Sequence, residues 1–234
     1  MRARAAAAFV GGHTSSRDVR WRPHDLLRLR RLPACDDEPA WVRAAFERAP
    51  YAVVRRALTA EGVVAVGLRG AGRAQRYGTW AEAGDIESVV PPEALLQAEP
   101  LAGREALRPF AALADLRSDA AGALAVCAWG PTGSAGFELA TRVPAVTESS
   151  DLDLLIRAPE PLTQDIARAW LDQMHTLAAR AGIRVDAQLE TPAGGVALAE
   201  WAAGKARVLA RDASGPRLIA NPWGAAHGTP NGAE

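Results

Sequence analysis

The chain has 234 residues, 49% hydrophobic and 23% charged, a composition that suits an ordinary globular protein with room for one large domain or two small ones. Lys+Arg and Asp+Glu number 27 each, so bulk charge draws the chain neither to nucleic acid nor to an anionic membrane, and any phosphate chemistry must rest on a local site. No segment approaches the roughly 20 apolar residues of a membrane span. Cys35 and Cys127 form neither a CxxC pair nor a zinc set, which fits reduced thiols in a cytoplasmic protein.

Residues 1–19, an Ala/Arg run followed by Gly and Ser, are expected to form an extension without fixed structure. Its start mimics a signal peptide, but the apolar run is too short. Order is expected from Trp21, with Pro23 at a helix start and Asp25 helping to cap it. A short helical pattern runs from Trp41 to Ala49 and ends at Pro50. Ala52 to Arg55 and Val63 to Leu68 are β-rich runs joined by a turn at Glu61-Gly62, and Gln75 to Trp80 adds a third strand. Gly67-Leu68-Arg69-Gly70 and Gly72-Arg73 are expected to be a solvated hairpin tip, with a basic loop over a ligand as the alternative.

Pro91-Pro92 marks the next break, followed by a short helix to Gln97 and a longer one from Gly103 to Arg117. The boundary between an N-terminal α+β domain (20–115) and a second domain (116–224) is expected near residue 115, with 225–234 as a flexible tail. The second domain reads as strand (124–129), helix (133–140), strand (151–156), helix (162–181), strand (183–189), helix (197–203) and a terminal strand pair. Alternating strands and helices of this kind build an α/β core.

The chemistry concentrates between Val126 and Ile156. An apolar strand delivers the chain to Gly130-Pro131-Thr132-Gly133-Ser134, and after an insertion comes Asp151-Leu152-Asp153-Leu154-Leu155-Ile156. Strand alternation puts Asp151 and Asp153 on one face and Leu152 and Leu154 on the other. Adjacent carboxylates call for a cation. A third carboxylate, Asp186, lies in the apolar run Ile183 to Ala187, which follows a helix of about five turns. A crossover would return that strand parallel to the first and bring Asp186 beside the pair. Asp151, Asp153 and Asp186 thus form a candidate Mg²⁺ site, with Mn²⁺ as the other candidate ion and Asp186 as ligand or general base. The alternatives are aspartates merely solvated at a strand entrance and an Asp186 that only orients an arginine such as Arg184 or caps an edge. Gly133 and Ser134 can offer N–H and hydroxyl groups to phosphate oxygens at a helix N-terminus. His24 and His175 lack ligand-spaced companions, and Trp41, Trp170 and Trp201 sit at helical spacing and read as core.

The Gly-Ser turn, the DxD and the third carboxylate resemble the nucleotidyltransferase superfamily, to which polymerase-β-like enzymes belong. The strings GPTGSAGFELATRVPAVTESSDLDLLIRAP, RVDAQLETPAGGVALAEWA, GPRLIANPW and WRPHDLLRL are similar to the malonate decarboxylase holo-acyl-carrier-protein synthase family, the phosphoribosyl-dephospho-CoA transferases. The resemblance spans roughly residues 20 to 224, and the long gap from Ser134 to Asp151 is itself a feature of that family. It implies a small α+β domain followed by a polymerase-β-like mixed sheet with flanking helices. It also implies transfer of phosphoribosyl-dephospho-CoA from its triphosphate precursor to a serine of the apo acyl carrier subunit, with release of pyrophosphate. The motif aspartates fall on Asp151 and Asp153, and the phosphate cradle on Gly133 and Ser134. Two rival functions accompany this reading: a nucleotidyltransferase acting on another small molecule or protein, and a nucleotide-binding module of the same fold without catalysis.

Overall fold

The computed structural model describes residues 20–72, 74–119, 124 and 127–224. The expected extension at 1–19 and tail at 225–234 lie outside them. The chain forms an α+β fold with two sheets.

Five antiparallel strands make the first sheet: β1 (Leu26–Leu29), β2 (Tyr51–Val54), β3 (Val63–Arg69), β4 (Arg76–Glu82) and β5 (Ile86–Val90), in the order β4-β3-β2-β1-β5. Helix α1 (Trp41–Arg48) packs on one face, where Leu27, Leu29, Val42, Val66 and Leu68 form a core. The segment expected to start a helix at Pro23 leads instead into an interior strand, β1. The two-residue repeat of Leu27 and Leu29, which are 0% and 1% exposed, decides the outcome, because it lets the segment pair with β2 on one side and β5 on the other. The β2–β3 and β3–β4 pairings follow the expected hairpins. Strand β5 was not foreseen.

The second sheet has the order β11-β10-β9-β8-β7-β6. Its strands are β6 (Trp129–Pro131), β7 (Leu152–Arg157), β8 (Val185–Thr191), β9 (Gly194–Ala197), β10 (Val208–Asp212) and β11 (Gly215–Ile219). Helices α2 (Arg108–Asp119), α3 (Gly133–Thr141), α4 (Gln164–Ala181) and α5 (Leu198–Ala202) complete this half. Among the described residues only β7 and β8 pair in parallel, joined by α4, whose start is capped by Thr163 and whose end is Gly182 in the left-handed region. Helix α2 begins later than expected, because Gly103 sits at φ +78° in a turn and Pro109 favours the first helical turn. Of the expected strand 124–129, residues 125 and 126 lie outside the described residues, and Cys127 precedes β6. The expected domain boundary near residue 115 falls inside α2, and Leu95, Phe110, Leu113 and Leu116 all pack in the core of the second sheet.

That core lies on one face of β7 and β8, where Leu152, Leu154, Ile156, Val185 and Leu189 meet Trp170, Met174 and Leu177 of α4. Alternation sends Asp153, Leu155 and Arg157, with Asp186, Gln188 and Glu190, to the opposite face. This second face looks toward the first sheet: Arg157 reaches Asp25, Arg56 pairs with Glu190, and Gln188 meets His24. No helix among the described residues is long and apolar enough to cross a membrane.

Candidate active site

The Gly-Ser turn and the DxD strand meet directly. The Thr132 N–H donates to the Asp153 carbonyl at 2.8 Å, tying the turn to β7. Gly133 adopts φ +58°, and a Cβ there would stand 1.9 Å from Asp153 Oδ2, so any other residue would evict the carboxylate. Ser134 is buried behind this contact at the start of α3. In the parallel register Asp153 stands opposite Asp186, as the crossover argument anticipated. Burial holds the Asp153 carboxyl above the usual carboxylate range, the charges of Asp186 and Asp151 push the same way, and Arg69 and Arg184 pull it back. Asp186 forms an ion pair with Arg184.

The three aspartates are within electrostatic reach of one another, yet no three His, Cys, Asp or Glu side chains among the described residues are already gathered as a metal centre. The donor chemistry nonetheless suits a hard cation. Oxygen ligands dominate, burial and the neighbouring carboxylates make the Asp153 charge costly despite Arg69 and Arg184, and Mg²⁺ takes one or two carboxylates and fills its remaining positions with water and substrate phosphate.

A cleft of about 1180 Å³ is lined by both sheets and by Leu171, Met174, His175 and Ala178 of α4. Gly133, Asp153 and Asp186 line it from the second sheet, while Asp151 and Ser134 stand outside its lining. From the first sheet come Arg55, Gly67, Arg69 and Arg76, so the hairpin stretch expected to be a solvated tip is part of the wall. Arg73 lies outside the described residues. The basic-loop alternative covered Gly67 and Arg69 but not Arg55 or Arg76, whose place in the wall depends on how the two sheets face each other.

Two further groups escape a reading of the sequence. Glu138, fully buried on α3, accepts from Arg104 at 2.5 and 2.9 Å and from the backbone N–H groups of Ala145 and Val146 at 2.7 and 2.8 Å. Burial pushes this carboxyl up, but the Arg104 and backbone hydrogen bonds outweigh it and hold it below the usual range. Glu138 thereby anchors the insertion that carries the chain from the Gly-Ser helix to Asp151. The only available signal was a lone carboxylate inside the apolar run of α3. His24 is the second, a non-glycine residue at φ +72° on the cleft wall. Its Nε2 faces the Gln188 amide at 3.1 Å and Arg56 at 3.4 Å. Burial, then the charges of Arg56 and Arg157, lower its pKa to about 4, so the ring is neutral with Nε2 as acceptor.

Comparison with known proteins covers both halves of the chain. Residues 22–92 match the family described as phosphoribosyl-dephospho-CoA transferase MdcG N-terminal domain, and residues 95–222 match the corresponding C-terminal domain. A phosphoribosyl-dephospho-CoA transferase of Pseudomonas putida (strain W619) is 46% identical over 206 residues, covering 86% of this chain and 94% of the relative. One from Pseudomonas aeruginosa is 46% identical over 203 residues, covering 86% and 93%. One from Klebsiella pneumoniae (strain 342) is 40% identical over 206 residues, covering 86% and 96%. No solved structure matches the chain.

Proposed function

Because the chain belongs to the phosphoribosyl-dephospho-CoA transferase family, we propose that it transfers the phosphoribosyl-dephospho-CoA group of triphosphoribosyl-dephospho-CoA to a serine of the apo acyl carrier subunit of malonate decarboxylase. The serine Oγ attacks the phosphorus next to the ribose, a phosphodiester forms, and the bond to the outer two phosphates breaks to release pyrophosphate. The observation that carries this reading is the seating of Asp153 against Gly133 with Asp186 in register beside it, at the edge of a cleft of nucleotide size.

The residues divide the task. Gly133 and Ser134, at the start of α3, lie where backbone N–H groups and the helix dipole favour phosphate oxygens. Asp151 and Asp153, with Asp186, would hold Mg²⁺ or Mn²⁺, which when bound supplies Lewis-acid neutralisation of phosphate charge worth several kcal/mol. Asp186 accepts the serine proton as general base once it leaves Arg184. The nucleophile belongs to the carrier, so the chain needs no Ser-His-Asp or Cys-His set of its own. This nucleotidyltransferase-type chemistry is supported by the Gly-Ser and DxD contact.

The test mixes the purified chain with Mg²⁺, triphosphoribosyl-dephospho-CoA and the apo carrier subunit, and weighs the carrier by intact-protein mass spectrometry. The expected result is a Mg²⁺-dependent gain equal to the prosthetic group. Pyrophosphate release with an unmodified carrier would favour transfer to another acceptor, and no reaction between folded partners would sink the proposal.

A further inference from the structure

The face of the first sheet turned away from α1 bears an arrangement that the chemistry above leaves unused. Along β3, Val64, Val66 and Leu68 join the α1 core, so alternation puts Gly67 and Arg69 on the face toward the cleft. The register then sets Gly67 opposite Gly78 and Arg69 opposite Arg76. Like charges directly opposite in an antiparallel pair destabilise it. The two glycines form a trough, and Arg55 lies in it: a Cβ on Gly78 would stand 2.0 Å from Arg55 Nη1, and one on Gly67 3.1 Å from Arg55 Cδ. Neither Arg55 nor Arg76 has a side-chain hydrogen bond or ion pair with the described residues, and both are exposed on the cleft wall. In a chain of balanced charge, five arginines and two aspartates line this one cleft.

We propose that Arg55, Arg69 and Arg76 form a phosphate-binding wall that grips the polyphosphate of the substrate across from Asp153. The first sheet then supplies anion recognition, and the second supplies the carboxylates. Guanidinium groups suit this task, since each presents a planar fork of donors to phosphate oxygens and keeps its charge at any working pH. A polyphosphate seated beside Arg69 and Arg76 also offsets the repulsion between the two. The glycine trough gives Arg55 a fixed course over the sheet, which lowers the entropy lost when it binds. The inference takes its substrate from the transferase reading, but the anion chemistry stands on the wall alone.

The test is calorimetric binding of inorganic tripolyphosphate to the full chain in EDTA, which silences any metal-held contribution. Wild type should bind, and Arg55→Gln, Arg69→Gln and Arg76→Gln should each weaken binding about tenfold or more, as expected for loss of a charged hydrogen bond. Arg76→Lys should recover part of the loss, and raised salt should weaken wild type more than the variants. Arg180→Gln, on α4 and paired with Asp115, is the control and should bind as wild type does. In transfer assays Arg76→Gln should raise KM more than it lowers kcat. Wild type that fails to bind, or glutamine variants that bind as tightly as wild type, would overturn the wall. If Arg55→Gln fails to fold, the exposed Arg76, on an edge strand, carries the test. Arginine-dependent binding without carrier modification would sustain the wall and sink the transferase reading, whereas transfer with an unchanged KM in Arg76→Gln would do the reverse.

Discussion

The two sheets handle charge in opposite ways at the two ends of the same strands. At the C-terminal ends of β7 and β8 each charge meets its opposite: Arg157 contacts Asp25 at 2.7 Å and Arg56 pairs with Glu190, all four largely withdrawn from water. Toward the N-terminal ends the arrangement differs: across each strand pair a residue meets its like, while Arg184 pairs with Asp186 and Arg69 attracts Asp153 from the facing sheet. Asp153 stands opposite Asp186 on the second sheet, and Arg69 stands opposite Arg76 on the first. The paired end has what folding needs, because a buried ion with its partner is tolerable and one without is costly. The other end holds a half-exposed pair, Arg184 with Asp186, beside like charges set across each strand pair, an arrangement that suits the proposed ligand of phosphate and cation. One seam thus contains a latch and the proposed site, separated by a few residues along two strands.

Substitutions can break this contrast at either end. The largest effect is expected for Asp186→Asn, which removes the proposed base and should slow transfer roughly 10²–10⁴-fold in a single-turnover mass assay. A loss of less than about tenfold would leave Asp186 only a supporting role. At the latch, Arg157→Ala strands the buried Asp25 carboxylate and should cost about 3–5 kcal/mol in denaturant unfolding. A cost below about 1 kcal/mol, the range of an exposed pair, would erase the distinction between the two ends.

A smaller effect comes from His24, which links the latch to the cleft. In the unfolded chain its ring protonates as pH falls through 6.5, whereas in the folded chain it resists until about 4. The unfolded state therefore binds more protons across this window, so the stability from His24 is complete above 6.5 and declines as pH falls toward 4. The slope approaches ~1.4 kcal/mol per pH unit. Comparing the stability of wild type and His24→Gln across this range isolates the term from the carboxylates. Parallel profiles would show that the ring titrates normally.

How much of this was legible in the sequence depended on whether a feature was local. The hairpins β2–β3 and β3–β4, helices α1, α3 and α4, and strands β7 and β8 follow from periodicity and from Gly and Pro punctuation. The Asp153 and Asp186 register followed because a strand, a long helix and another strand leave few ways to pair. Strand β1 was misread because Pro23 and Asp25 mimic a helix start, while its partners β2 and β5 lie far along the chain. Strand β9 is obscured by Gly194 and Gly195, which tertiary contact with Arg211 and Arg56 explains and composition does not. The proposed arginine wall was legible only in part, as the less favoured basic-loop reading of Arg69, because Arg55 and Arg76 join it only when a second sheet faces the hairpin. The Glu138 anchor was hidden as well, because its partners arrive from Arg104 and from the insertion it organises.

The central claim is that the end of the seam bearing Asp153 and Asp186 is where transfer occurs, and the aspartate pair tests it most directly. Asp151→Asn and Asp153→Asn are each to be measured for transfer to the carrier with Mg²⁺ and for melting temperature without metal. Removing one of two adjacent carboxylates relieves repulsion in the empty site. Transfer should therefore be abolished in both variants, while the metal-free melting temperature stays the same or rises slightly. Near-normal transfer in either variant would contradict the account.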